Sequence, residues 1–385
     1  MPDGSPQPTL TLYPHIAEIG QAEWDACAGD ENPFVSYGFL SALEDSGSVG
    51  SNTGWHPRHA VLRDAAGDII ALAPAYAKTH SYGEYVFDHG WANALERAGG
   101  RYYPKLQVAV PFSPVPGPRI LARPGTTATA AMADALMQAA RELRCSSVHA
   151  TFCTEAEWNE FGTSGWLQRM GTQFHWDNDG YASFDDFLAA LSSRKRKAIR
   201  RERRDAAAGL TIRPLSGAEL TPKIWSSFFE FYLSTVDRKW GGAYLTPEFF
   251  PLLGERLGSN IVLMIAERNG RPIAGALNLR SHDALYGRNW GSTEDVPFLH
   301  FELCYYQAID YAIAHGMKRV EAGAQGEHKI QRGYLPKPTY SAHWIKHSGL
   351  RRAVAEFLRA ERQDMTEAMA TLTEESPYKN NGEAG

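Results

Sequence analysis

Residues 60–78, AVLRDAAGDIIALAPAYAK, resemble residues 263–281, LMIAERNGRPIAGALNLRS. Each stretch is an apolar run, a turn centred on Gly67 or Gly270, and a second run with apolar alternation. Glycine takes positive φ at a turn without a Cβ clash, and alternation suits a strand, so both stretches read as antiparallel hairpins. The likeness continues outward. Thr129 to Leu143 has helical spacing, and so does Leu299 to His315, with Leu299, Leu303, Tyr306, Ile309 and Ile313 on one face. A short β-prone run follows each helix, Ser147 to Phe152 or Arg319 to Gly323. Each half then closes on a shared signature. Gly165-Trp166-Leu167 precedes His175-Trp176 by seven residues, and Gly333-Tyr334-Leu335 precedes His343-Trp344 by seven.

Four matches in the same order predict an α/β protein of two related domains in tandem. Each is a mixed sheet with helices on both faces, running strand, helices, hairpin, long helix, strand, short helix and final strand. The first domain is expected over residues 1–180 and the second over 181–373, with a polar, acidic, disordered tail at 374–385. The boundary follows from Asn178-Asp179-Gly180, a turn, and from Ser183, an N-cap with Asp186 as capping-box partner. A helix from Phe184 is expected to bury Phe187, Leu188 and Leu191 and then to enter a basic run.

At 385 residues with 43% hydrophobic residues, the chain is long enough for two cores and too apolar for wholesale disorder. No apolar run of about 18 residues predicts a membrane span, and the N-terminus lacks a secretory pattern, so a cytoplasmic location is expected. Cys27, Cys145, Cys153 and Cys304 form no CxxC pair, so neither zinc nor another metal is expected and buried reduced thiols are. The net charge of -5 argues against general nucleic-acid coating, with one local exception. Arg194 to Arg204 holds eight basic residues and one acid, and outside it 31 basic residues face 43 acidic ones. Such a run repels itself unless an anion answers it. Arg194, Lys195, Lys197, Arg200, Arg201 and Arg204 are therefore candidate phosphate-binding residues. No aromatic interleaves the run, so base stacking is not expected.

His80 to Asp88 (HSYGEYVFD), Tyr102 to Leu106 (YYPKL), Leu299-His300-Phe301-Glu302 and Glu321 to Lys329 (EAGAQGEHK), with Arg332-Gly333-Tyr334, carry a family likeness. In these passages and in the order of its elements, the chain resembles the FemAB-like peptidoglycan biosynthesis/recognition family, which has two GNAT acyltransferase folds in tandem. The resemblance implies transfer of an acyl or aminoacyl group to an amine of a small molecule or peptide. It implies aminoacyl-tRNA or acyl-CoA as donor, and no tightly bound cofactor. GNAT enzymes present backbone N–H groups of a glycine-rich loop to the CoA pyrophosphate. The matching segment here, Gly291 to Phe298, holds two acids and a proline, which disfavours acetyl-CoA.

In this fold the site lies beside the strand after the long helix. The resemblance therefore implies Glu327 or His328 as general base, with Glu321 orienting the amine. Arg288, Asn289 and Trp290 on the preceding strand, His300 and Glu302 at the helix start, and Gln325, Lys329, Arg332 and Tyr334 are expected to bind substrate. The first domain has His149 where the second has Glu321, so it is expected to form a substrate wall through His80, Tyr82 and Glu84, with Tyr85 and Asp88. His175-Trp176 and His343-Trp344 read as strand-end packing. Two other readings stay open at this point. One is a non-catalytic module that binds a peptidoglycan precursor, and the other is a tRNA-binding protein that uses the basic helix.

Overall fold

The computed structural model describes residues 8–239, 242–324 and 326–379. The chain is α/β, with mixed sheets and two compact units. Its strands are β1 (Thr9–Tyr13), β2 (Trp55–Pro57), β3 (His59–Arg63), β4 (Ile69–Ala73), β5 (Ala75–Lys78), β6 (Lys105–Val108), β7 (Leu121–Ala122), β8 (Ser147–Cys153) and β9 (Leu167–Asp177). Then come β10 (Thr211–Leu215), β11 (Ile261–Arg268), β12 (Arg271–Arg280), β13 (Ala284–Ser292), β14 (Arg319–Glu321) and β15 (Leu335–Ile345). Both hairpins form where the repeat puts them. β11 and β12 turn through Asn269 and Gly270, both at positive φ, which is the backbone of a two-residue type I′ turn. β3 and β4 turn through Gly67, with Asp64 Oδ1 accepting from the N–H groups of Ala66 and Asp68.

The compact units do not coincide with the two sequence halves. Unit 1 comprises residues 1–171 and 338–366, and unit 2 comprises 172–337 and 367–385. The reason lies in the closing strands, which are exchanged. β9, at the end of the first half, pairs with β14 of the second, and β15 pairs with β8 of the first. Trp176 accordingly packs into the core of unit 2, with Val320, Leu285 and Ile309, while Trp344 packs into that of unit 1, with Val148 and Leu136. Because the two signatures are alike, the residues of each strand do not by themselves announce which sheet it completes.

Unit 1 holds a four-stranded sheet, β1-β3-β4-β7, and a second sheet in the order β15-β8-β6-β5-β2. Pro74 separates β4 from β5, since proline offers no N–H to a ladder. In unit 2 the order is β10-β11-β12-β13-β14-β9, and Leu277, which matches Pro74 in the repeat, stands at a bulge instead of a break. The long helices Thr129–Glu142 and Leu299–Ala314 lie in the cores of unit 1 and unit 2 respectively, the latter with all five expected residues buried. Its middle turn, Glu302–Tyr306, is a π-helix, an insertion often found at functional sites.

The helix expected to run from Phe184 into the basic residues is two helices, Phe184–Ala190 and Ser193–Ala206. Ser183 Oγ accepts from the Asp186 N–H at 3.1 Å, which is one half of the expected capping box. Leu191 is extended between the helices because it bridges Tyr378, and the Ser192 N–H donates to the Pro377 carbonyl. Within the expected tail, then, residues 375–379 are placed, and Tyr378 is half-buried with its hydroxyl on the Gly333 carbonyl at 2.9 Å. Cys27, Cys145 and Cys153 are buried and Cys304 is half-buried. Among the described residues, no helix is long and apolar enough to cross a membrane.

Candidate active site

β13 runs parallel to β14 only over Ala284–Tyr286, opposite Arg319–Glu321. Beyond that point β14 stops, the chain turns through Gly323 at φ +76°, and β13 continues to Ser292 paired with β12. The pairing of β12 with β13 jumps from Asn278–Gly287 to Leu277–Asn289, so Arg288 is the extra residue of a bulge. A bulge re-aims the strand beyond it. Trp290 follows, and its ring meets His300 at 5.3 Å between centroids. His300 in turn contacts Tyr305 at 5.4 Å, and Phe301 and Tyr305 contact His328 at 5.5 and 5.8 Å. At the splayed end of the strands, three segments thus converge on one aromatic and imidazole cluster.

Within it, Tyr305 Oη and His328 Nε2 are 3.0 Å apart. Burial pushes the Tyr305 phenol up from its ordinary value, so it stays protonated and donates this bond. His328 itself is exposed. The pair can therefore take a proton: one arriving at the phenol oxygen passes on as the phenol gives its own to the imidazole. Gln325 and the side chain of Glu327 lie outside the described residues.

Several expected site residues hold the scaffold instead. Tyr334 is fully buried and donates to the Tyr305 carbonyl at 3.1 Å. Lys329 is buried too, its ammonium on the carbonyls of Ala322 and Gly323, where it answers acceptors left by the end of β14. Arg332 lies 3.5 Å over the Phe301 ring and donates to Glu202 at 2.9 Å, so its charge is spent within the protein. Glu302 is 2% exposed and accepts from Arg203 at 3.1 Å and from Gln307 at 2.7 Å. Arg288, Asn289, Trp290 and His300 are half-buried on the splayed side.

Glu321 stands apart from His328, with no hydrogen bond or ion pair between them among the described residues. It is 4% exposed, its Oε1 accepting from Arg319 at 2.8 Å and its Oε2 3.8 Å from His175 Nε2. Burial raises the Glu321 carboxyl against the pull of Arg319, and burial pushes His175 down to about 3. In unit 1 the equivalent pair across the exchanged strands is His149 and His343, whose Nδ1 atoms are 2.8 Å apart. The two His-Trp dipeptides are therefore more than packing: the tryptophans fill cores and the histidines meet titratable partners. Their repetition at equal spacing was the signal in the sequence. Tyr305 had no such signal, since helical spacing alone does not reveal a π turn.

The basic helix, Ser193–Ala206, packs on the π turn and on the short helix Glu327–Arg332. Much of its charge is answered internally. Arg203 pairs with Glu302 and Asp310, Arg200 with Asp185 at 2.9 Å, Arg204 with Asp205 at 2.9 Å, and Lys195 bonds Gln331. Among the described residues, Arg194, Arg196, Lys197 and Arg201 make no ion pair, and all but Arg196 are exposed. Of the six candidate phosphate-binding residues, three are engaged and Arg194, Lys197 and Arg201 project a positive face.

The family model for FemAB-like peptidoglycan biosynthesis/recognition proteins matches residues 15–380. No curated protein matches the sequence significantly. Among solved structures, that of FemX is similar at TM-score 0.53 and 11% identity, covering 89% of this chain and 99% of that one. The C-terminal domain of a putative lysylphosphatidylglycerol synthetase from Agrobacterium fabrum is similar at TM-score 0.52 and 10% identity, covering 88% and 95%. L-PGS from Bacillus licheniformis is similar at TM-score 0.51 and 11% identity, covering 86% and 98%. At these identities the likeness establishes the shared fold.

Proposed function

The chain belongs to the FemAB-like peptidoglycan biosynthesis/recognition family, and from that premise we propose that it transfers an acyl or aminoacyl group to an amine of a small molecule or peptide. The observation that carries this reading is the Tyr305–His328 pair at the splayed end of β13 and β14, beside an uncompensated positive face. Amide formation needs the attacking amine to lose a proton, and the pair is built to receive one. His328 is the proposed terminal acceptor, Glu327 the alternative base, and Glu321 a buried carboxylate that sets the charge at the end of β14. Arg288, Asn289, Trp290 and His300 line the splayed side, where a substrate carbonyl and amine would be held in line.

Arg194, Arg196, Lys197 and Arg201 suit a polyanionic donor. The proposed donor is aminoacyl-tRNA in preference to acyl-CoA, because Glu294 and Asp295 lie in the segment that would meet a CoA pyrophosphate. The proposed acceptor is a peptidoglycan precursor bearing a peptide amine, in keeping with the family's description. Charged tRNA and CoA esters are cytoplasmic, so the reaction is placed there.

The test is a transfer assay with labelled aminoacyl-tRNA or acyl-CoA and an amine acceptor, on wild type and on His328→Ala and Tyr305→Phe. Both variants are expected to lose about 10²–10⁴-fold in rate, the range for a positioned acid–base group. Neutralising Arg194, Arg196, Lys197 and Arg201 is expected to lower the slope of log affinity for tRNA against log salt by about 3. Full turnover in both site variants would remove the site assignment. Precursor binding without consumption of either donor would favour the non-catalytic reading.

A further inference from the structure

Lys78 on β5 and Lys105 on β6 stand directly opposite one another in the antiparallel register. Both side chains are 0% exposed. Two like charges facing across a ladder destabilise it, and buried cations persist only where anions and hydrogen bonds answer them. Among the described residues, the anions that pair with these lysines come from one segment, residues 79–88, which is neither helix nor strand. The Lys105 ammonium donates to Ser81 Oγ at 2.8 Å, Glu84 Oε2 at 2.7 Å and Asp88 Oδ2 at 2.5 Å. Lys78 Nζ donates to the Tyr82 carbonyl at 3.2 Å, lies 3.6 Å over the Trp55 ring, and is 3.8 Å from Glu84 Oε1.

Between its anchored ends the segment is held more lightly. It leaves Tyr82, Tyr85 and Phe87 exposed, and it turns through Gly83 and Tyr85 at positive φ, a costly conformation for tyrosine. Its ends are tied by the Thr79 N–H to the Gly54 carbonyl, by His80 Nε2 at 2.9 Å from the Thr53 carbonyl, and by the Asp88 carbonyl, which accepts from the N–H groups of Trp91 and Ala92; between them run the Phe112 N–H to the Gly83 carbonyl, Arg169 to the Phe87 carbonyl, the Tyr102 hydroxyl to Asp88, and the Ser81–Tyr103 hydroxyl pair. The resident carboxylate is also only half used: Asp88 Oδ1 is buried and makes no hydrogen bond. A carboxylate held through one oxygen leaves acceptor strength unspent.

We propose that Lys78 and Lys105 form a binding site for a ligand carboxylate, which residues 79–88 fill with their own Glu84 and Asp88 and vacate when the ligand arrives. The segment is thus a surrogate ligand and a cover at once. Burial pushes the Glu84 carboxyl up to about 7 and Lys78 down to about 7, while Lys105 is raised, so below neutral pH Glu84 loses its charge as both lysines stand cationic. Tyr102, His149 and His343 lie beyond Asp88 as a hydrogen-bonded row, and with both imidazoles pushed down by burial they bring no competing positive charge. An external carboxylate must outcompete one that is tethered, so a small ion needs high concentration or a missing competitor. This site stands in unit 1, independent of the transferase reading.

The experiment is chemical rescue. Asp88→Ala removes the tethered carboxylate, and its melting temperature is compared in formate and in chloride at equal ionic strength. Formate is expected to raise it by several degrees, with no such gain in Asp88→Ala/Lys105→Met. Equal melting in the two salts, or an equal gain in the double variant, overturns the proposal. Hydrogen exchange on the wild-type chain covers the case in which Asp88→Ala does not fold. Amides of residues 81–87 are expected to exchange several-fold faster in concentrated formate than in chloride, and unchanged exchange overturns the proposal.

Discussion

Glu302 offers the sharpest test of how the basic helix is held. Glu302→Gln keeps the side-chain volume and removes the charge that Arg203 meets at 3.1 Å. Breaking a fully buried ion pair costs about 3–5 kcal/mol because the surviving charge is left unanswered. Arg203 is 22% exposed and keeps Asp310 at 3.0 Å, so part of that penalty is relieved. The amide can also still accept from Arg203 through its oxygen. A loss of about 2–3 kcal/mol follows from these offsets. For a unit of this size, each kcal/mol moves the melting temperature by roughly 2–4 °C, which gives a drop of about 5–10 °C. Calorimetry on wild type, Glu302→Gln, Arg203→Gln and the double variant would separate the pair from its surroundings. The coupling between the two sites should exceed about 1 kcal/mol. An unchanged melting temperature together with lost turnover would refute the reasoning and return Glu302 to the substrate, as its position at the helix start first suggested.

Two further outcomes follow from the geometry. Burial pushes His149 and His175 down to about 3 from an ordinary 6.5, so the folded chain holds both neutral while the unfolded chain protonates them. Their contribution to stability is whole above pH 6.5 and is lost as pH falls toward 3. The denaturation midpoint should therefore drop between pH 7 and pH 5, and His149→Gln or His175→Gln should flatten that drop; the same slope in both variants would count against it. Gly291→Ala should cost roughly 3 kcal/mol or more, since a Cβ there would lie 1.7 Å from the Phe231 carbonyl oxygen of the helix Pro222–Lys239. A variant melting at the wild-type temperature would show that this helix shifts freely.

Much of the fold was legible in the chain because it is written twice. The glycines of the two hairpins, the spacing of Leu299 to Ile313 and the closing signatures are local patterns, and local patterns survive as turns, helices and strands. The site was legible in part. His328 and Trp290 were named from the family likeness and lie where the strands splay, but Tyr305 was not named. Lys329, Arg332, Tyr334 and Glu302 were read as ligand contacts because charged and phenolic residues near a site suggest binding. The folded chain spends them on carbonyls, Glu202 and Arg203, and a charge's partner from a distant segment has no signature in the order of residues.

By itself the sequence determined the element types, the doubling of the domain and the single concentration of positive charge. Tertiary structure decided which half each closing strand completes, because strand pairing joins segments far apart in the chain and the two like signatures do not mark the edge each will join. It also decided which basic residues remain uncompensated, because Glu302, Asp310 and Asp185 reach the basic helix only when their segments pack against it. Lys78 and Lys105 show the same division. Their positions mark two strands, and only the pairing of those strands brings the two charges face to face and draws residues 79–88 over them.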